Sequence, residues 1–139
     1  MTGGAGRQMY LCLAYEEEAR LNALSASEWE SLRAETLAYV AELESRGYLI
    51  RTNALQSART AVTVRVRQGN LSTTDGPFAE TKEQLGGFFL IEAADINEAI
   101  HLAAGWPSAR LGSIEVRPIE VALKATGRYA PVGPEADDA

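Results

Sequence analysis

The chain has 139 residues, enough for one domain with its own core, and 46% of them are hydrophobic while 23% are charged. These are ordinary values for a globular protein, and no apolar run approaches the roughly 18 residues that a membrane span requires. The formal net charge of -6 is the opposite of the basic footprint expected of a nucleic-acid-binding protein.

The N-terminal part predicts a short leader and a buried strand. Residues 1–7 are glycine-rich, are expected to be flexible, and lack the basic start and apolar core of a signal peptide. From Gln8 to Ala14, apolar side chains occupy both faces of the predicted strand, so it should be covered on two sides. The single cysteine, Cys12, lies in this strand and is expected to be an inert buried thiol. A single cysteine without an internal disulfide partner fits a protein of the reducing cytoplasm.

A long helix is predicted next. Residues 16–22 read as a charged connection that leads into it. Ser25 with Glu28 forms one capping-box pattern that could open the helix, and Ser27 with Glu30 forms another. Apolar and small side chains then recur at helical spacing on one face: Trp29, Leu32, Thr36, Tyr39, Val40 and Leu43.

A second strand and a hairpin follow. The strand is predicted at 48–52, and an irregular polar segment at 53–59 separates it from the hairpin. Valines alternate with polar residues at 62–67, and the turn at 68–70 reverses the chain into a strand at 71–74. The polar side chains of the first hairpin strand are expected to face solvent; these include Arg65 and Arg67.

The segment Asp75-Gly76-Pro77-Phe78 begins what we call the signature loop, residues 75–83. Pro77 has a fixed φ and no N–H to donate, so the chain must leave its strand there. Phe78 is the one large apolar residue between Leu71 and Leu85. It is therefore expected to be buried and to hold the loop in place.

The C-terminal part predicts a central strand, a helix and an edge strand. Residues 87–91 are apolar at every side-chain position, which favours a strand covered on both faces. Asp95 with Glu98 begins a second helix whose core side is expected to contain Ile96, Ala99, Ile100 and Ala103. Apolar and charged side chains alternate at 114–117 before Pro118, as in an edge strand. The tail at 124–139 has the composition of a disordered segment.

Leaving out the hairpin, the order is strand, helix, strand, strand, helix, strand. This order predicts an α+β domain over residues 8–123, with a ferredoxin-like split βαβ antiparallel sheet, two helices on one face and an inserted β-hairpin. The first and third core strands lie in the middle of such a sheet, and they are the two that are apolar on both faces. Since no further helix can cover the second face, we expect a second copy to cover it in a homodimer.

Several kinds of site are not indicated. His101, the single histidine, is expected on the solvent side of its helix, so we expect it to be a surface residue and not a general base. One histidine and one cysteine in separate elements cannot supply a zinc site, and no metal or cofactor is predicted. Phosphate-loop, GxGxxG and GxSxG motifs are absent from the sequence. Trp106 is expected to be a core residue.

The candidate site residues are Asp75, Glu80, Lys82 and Arg117. Asp75 either shapes the turn by accepting backbone N–H bonds or places a carboxylate at a pocket mouth. Glu80, Lys82 and Glu83 either form a solvated run of charges or line an opening between the sheet and the signature loop. Arg117 points outward from the last strand, where it could meet those carboxylates or a ligand anion.

These motifs resemble one family. Asp75-Gly76-Pro77-Phe78, the charged residues after it, the pair Gly86-Gly87 and Glu115-Val116-Arg117-Pro118 are similar to the DGPF-domain branch of the YCII-related proteins, with the resemblance covering 9–121. The resemblance implies a dimeric α+β barrel and, in the wider family, a pocket with a histidine and an aspartate for acid–base work. Thr36 stands roughly where that histidine would fall, so this chemistry does not carry over. Frequent association of the branch with extracytoplasmic-function sigma factors implies an accessory role in signalling.

Three functions therefore stay open, and the sequence does not decide whether the protein is an enzyme. The first is a binding module for a small anionic or apolar ligand, in a pocket between the sheet and the signature loop. The second is a muconolactone-isomerase-like enzyme in which Asp75 or Glu80 moves a proton while Arg117 steadies an anionic substrate. The third is an interaction partner of a sigma-factor regulator.

Overall fold

The computed structural model describes residues 6–123, 125 and 127–129. The first five residues of the predicted leader, and all of the predicted tail except 125 and 127–129, lie outside the described residues. The elements in chain order are β1 (Gln8–Glu16), α1 (Glu18–Asn22), α2 (Ala26–Ser45), β2 (Leu49–Ala54), β3 (Val62–Arg67), β4 (Asn70–Asp75), β5 (Gln84–Ala93), α3 (Ile96–Ala104) and β6 (Ser113–Pro118), with 3₁₀ turns at Ala58–Thr60 and Pro107–Arg110.

Four strands form one antiparallel sheet in the order β2-β5-β1-β6. The sequence prediction of a ferredoxin-like α+β fold is confirmed, with β1 and β5 in the middle and β6 at an edge. Helices α2 and α3 pack on one face, where their side chains join those of the central strands in the core. The strands β3 and β4 pair only with each other, as the inserted hairpin.

Trp106 anchors the core, as predicted. Its indole stacks on Phe89 with ring centroids 4.0 Å apart and meets the edge of Tyr39 at 6.1 Å. The side chain is 8% exposed. Cys12 lies in the same core, and burial raises the pKa of its thiol to about 12, so it stays protonated and inert at neutral pH.

The start of α2 agrees with one of the two predicted registers, whereas the core side of α3 differs from the sequence prediction. Ser25 caps α2: its hydroxyl accepts the N–H of Glu28 and the Glu28 carboxylate accepts the N–H of Ser25, which selects the first of the two registers. In α3 the core side is Ala99, Leu102 and Ala103. Ile96 and Ile100 are exposed, so their predicted burial was wrong, whereas the predicted exposure of His101 is confirmed.

The hairpin forms where the sequence predicts it, and Arg67 is exposed as predicted, but both faces of its first strand are open to solvent. Gln68 and Gly69 take the positive φ values of 53° and 78° that a two-residue hairpin turn requires. Arg65 is partly buried, and its guanidinium lies over the ring of Phe78, 5.8 Å from the ring centroid. Val62, Val64 and Val66 are each more than half exposed.

Phe78 is 81% exposed, so the prediction that it is buried was wrong for the single chain. The loop is shaped by its backbone instead. Gly76 takes a φ of +107°, which favours glycine, and donates its N–H to the Ala61 carbonyl at 2.7 Å. The Thr63 hydroxyl donates to the Gly76 carbonyl at 3.0 Å. These bonds hold the turn without the phenyl ring.

Phe78→Ala is therefore expected to change the free energy of unfolding by less than about 1 kcal/mol, as for other exposed positions. Urea titration at low protein concentration measures this directly. A loss near 3 kcal/mol, especially one that grows with protein concentration, would contradict the exposed placement and indicate that another chain buries the ring.

Candidate functional site

The signature loop borders an open groove. Asp75, Glu80 and Lys82 line it together with Gly76 and Pro77, so the fold brings three of the four predicted site residues to one place. The groove has a volume of about 720 Å³ and runs between the loop, α1 and the 3₁₀ turn at 58–60. All three charged side chains are exposed to solvent, which weakens their interaction with any ligand.

Arg117 does not join this groove. It lies on the edge strand β6, opposite Leu11 of β1, on the sheet face away from the helices. Its Nε donates to the Glu115 carboxylate at 2.8 Å. The fourth predicted site residue is therefore engaged with its own strand and does not meet the carboxylates of the signature loop.

A second cavity lies between α2 and the sheet, and we call it the α2 cavity. Its volume is about 380 Å³, within the range of small-molecule sites. Most of its lining is apolar or aromatic. The lining residues are Ala14, Glu16, Leu21, Trp29, Leu32, Thr36, Leu37, Val40, Thr52, Asn53, Ala54, Gly86, Gly87, Phe88, Phe89, Trp106 and Ser108.

A row of small residues forms the floor of this cavity. Ala54 of β2 pairs with Gly87 of β5, and Gly87 pairs in turn with Ala14 of β1, so three neighbouring strands present almost no side chain to the helix at the same level. Helix α2 passes above them with only Leu32 and Leu43 buried. The space that larger side chains would fill is left open, which is unusual because protein interiors are close-packed.

Glu16, at the end of β1, supplies the carboxylate of the cavity. It is the only charged side chain among the described residues that line the space. The Glu16 side chain lies over Gly86, where any Cβ would overlap it, and within the described residues it receives no hydrogen bond. Burial raises the pKa of the Glu16 carboxyl, and the nearby charge of Glu18 raises it further.

Glu18, two residues along, has the opposite environment. Its carboxylate accepts the N–H of Ala58 and the hydroxyl of Ser57, each at 2.7 Å. These two bonds, the backbone one first, lower the pKa of the Glu18 carboxyl. The segment read as a charged connection is thus a short helix, α1, fastened to the 3₁₀ turn by Glu18. The pKa of Glu16 is therefore raised while the pKa of its neighbour Glu18 is lowered. In enzymes, such a difference between two carboxyls separates the acid from the base.

Sequence reasoning missed both the α2 cavity and Glu16. A signal was present in the three consecutive glutamates Glu16, Glu17 and Glu18, where a buried strand ends. The row Ala14, Ala54 and Gly87 could be recognised only with the strand register, since these residues lie far apart in the sequence. Thr36 also lines the cavity, and its hydroxyl donates to the Leu32 carbonyl at 2.9 Å.

Comparison with known proteins places the chain in a family. The model of the YCII-related domain matches residues 9–124. The chain belongs to the YCII-related family. An uncharacterised protein of Rhizobium meliloti (strain 1021) is similar to it, 37% identical over 113 residues, which cover 80% of this chain and 91% of that protein. Assignment to the DGPF branch within the YCII-related family stays a prediction from the motif.

Two further observations concern the described part of the chain. No three side chains among its histidine, cysteine, aspartate and glutamate residues are grouped so that they could hold a metal ion. None of its helices combines the length and the apolar character needed to cross a membrane.

Proposed function

We propose that the protein binds a small molecule in the α2 cavity. The observation that carries the proposal is a space of about 380 Å³ with a largely apolar lining and one carboxylate, Glu16, that receives no hydrogen bond from the described residues. Ligand sites combine these features: an apolar interior that removes the ligand from water and a few polar groups that orient it. Trp29 and Leu37, each about half exposed, mark the open side through which a ligand would enter.

The groove at the signature loop supports this function less well. Its described lining contains four carboxylates, those of Glu17, Glu18, Asp75 and Glu80, against the two cations of Arg59 and Lys82. An anionic ligand would meet net repulsion there, and the exposed charges are screened by water. An apolar ligand in the α2 cavity is the better match.

The chain provides its own reporter for this site. Both of its tryptophans, Trp29 and Trp106, line the α2 cavity. We expect cyclohexylmethanol, a neutral probe that does not absorb at the excitation wavelength, to change tryptophan emission in a saturable way. Thr36→Phe fills the cavity from α2 and should abolish the response. Ala38→Phe places the same phenyl side chain on the exposed side of the helix and should leave the response intact.

A response to cyclohexylmethanol that survives in Thr36→Phe, with the variant folded by circular dichroism, would place the binding site elsewhere. The groove at the signature loop would then be the next candidate, and Asp75→Asn or Lys82→Ala should weaken the response.

We also propose that the protein is a homodimer joined through the sheet face opposite the helices. Leu11, Leu13, Phe88 and Leu90 occupy the centre of that face and are only partly buried in the single chain. Covering them would remove apolar surface from water. Light scattering at micromolar concentration is expected to give the mass of two chains, and a stable monomer would contradict the sheet-to-sheet arrangement.

An acid–base enzyme is the second candidate function, and the contrast between Glu16 and Glu18 is the observation that favours it. In this form of the hypothesis Glu16, with its raised pKa, would exchange the proton, in place of the exposed Asp75 or Glu80. Association with a sigma-factor regulator remains a prediction from the resemblance alone.

A further inference from the structure

We propose that the α2 cavity selects ligands that carry a protonated amine or another cationic nitrogen on an apolar body, with Glu16 as the group that binds the nitrogen. This inference rests on the proposed function, because it names the ligand class of the same cavity. It separates cationic ligands from the neutral and anionic ones that an apolar space alone would accept.

The charge of the cavity favours a cation. Glu16 is the one charged residue in the described lining, and the remaining polar groups there are neutral. Two of them are already engaged, since Thr36 donates to the Leu32 carbonyl and Thr52 donates to the Phe88 carbonyl at 2.8 Å. An anionic ligand would bring a second negative charge into a space that already desolvates one, at a high cost in free energy.

The position of Glu16 leaves its charge unneutralised. Gly86 beneath it has no side chain, which makes room for the carboxyl. Glu16 also lines a small adjoining cavity, together with Glu18 and Arg59. Glu18 is bound to Ser57 and Ala58, and the exposed Arg59 acts on the charge of Glu18. A carboxylate with partial burial and no donor gains most from a ligand that brings both a positive charge and N–H groups.

Binding of such a cation requires Glu16 to be ionised, which fixes the sign of the pH dependence. Burial and the charge of Glu18 both raise the pKa of Glu16, so this group takes up its proton at higher pH than an ordinary glutamate. Affinity for a cationic probe should therefore fall as pH drops through that raised pKa, while affinity for a neutral probe should not. The other charged groups that face Glu16 are Glu18 on α1 and Arg59 on the 3₁₀ turn.

Three probes of nearly equal shape test the inference: cyclohexylmethylammonium, cyclohexylmethanol and cyclohexanecarboxylate. In the native protein the ammonium should bind at least about tenfold more tightly than the alcohol, the factor expected for a charge-assisted hydrogen bond, and the carboxylate should bind most weakly. Glu16→Gln should remove the preference for the ammonium. Glu17→Gln removes the same charge one residue along, outside the lining of the cavity, and should preserve the preference.

The outcomes separate the ligand class from the site itself. If the alcohol binds and the ammonium binds no better, or if the carboxylate binds as tightly, the cavity is a ligand site but its proposed cation selectivity is wrong. If the ammonium keeps its advantage in Glu16→Gln, another group binds the nitrogen and the inference is also overturned. If none of the three probes binds the native protein, the proposed function fails as well.

Discussion

Trp106→Ala should lower the free energy of unfolding by about 3–5 kcal/mol, the usual cost of truncating a large aromatic side chain in a core. The indole is 8% exposed and lies stacked on Phe89 of the central strand β5. It also touches Tyr39, whose hydroxyl donates to the Leu102 carbonyl at 2.8 Å and so links α2 to α3. Removing the Trp106 indole leaves a void where both helices meet the sheet.

Trp29→Ala is the matched control, because Trp29 borders the same cavity but is 48% exposed. Trp29→Ala should lower the free energy of unfolding by roughly half as much as Trp106→Ala, in proportion to the apolar area that Trp29 buries. Urea titration of both variants compares the two directly. Equal losses for the two tryptophans would contradict the assignment of Trp106 as the anchor of the core.

Gly87→Ala should destabilise the protein by about 1–3 kcal/mol, whereas Gly86→Ala should do so much less. A Cβ at Gly87 would lie 2.9 Å from the Asn53 carbonyl oxygen and 3.3 Å from the Ala54 Cα, both backbone atoms of the neighbouring strand β2. The strands would have to separate to admit it. The three atoms nearest to a Cβ at Gly86 would all belong to the Glu16 side chain, which can move aside.

The two glycine variants should also differ in binding. Gly86→Ala should stay folded but displace the Glu16 carboxyl, and so reduce the preference for the ammonium probe over the alcohol. Thermal unfolding together with titration of the two probes distinguishes the roles of the adjacent glycines. A Gly86→Ala protein with unchanged ammonium preference would mean that Glu16 does not need its position over Gly86.

Most of the fold could be predicted from the periodicity of apolar residues and from the capping, turn and proline residues that begin or end the elements. The two strands that are apolar on both faces, β1 and β5, are the central ones, and the strand that ends at Pro118 lies at an edge. Local chemistry determines these features. Apolar side chains on one or both faces indicate the strands, the Ser25 capping box starts α2, and the turn at 68–70 reverses the chain to form the hairpin. Such signals act over a few residues, so they can be found without knowing the tertiary structure.

The site could not be predicted in the same way. Ala14, Ala54 and Gly87 form the cavity floor only because the strand register brings them side by side. Phe78 was expected inside because it is large and apolar, yet the turn is already held by Gly76 and Thr63, so nothing in the single chain requires the ring. Burial of a side chain depends on what surrounds it, and the local sequence does not contain that information.

The measurement that tests the central claim most directly is amide chemical-shift mapping of the protein during titration with cyclohexylmethanol. Binding in the α2 cavity predicts shifts concentrated at 32–40 of α2, at 52–54 of β2 and at 86–89 of β5, with the amides of 75–83 nearly unchanged. Shifts concentrated at 75–83 would contradict this account and move the ligand site to the groove at the signature loop. The absence of any saturable shift would contradict the small-molecule function itself.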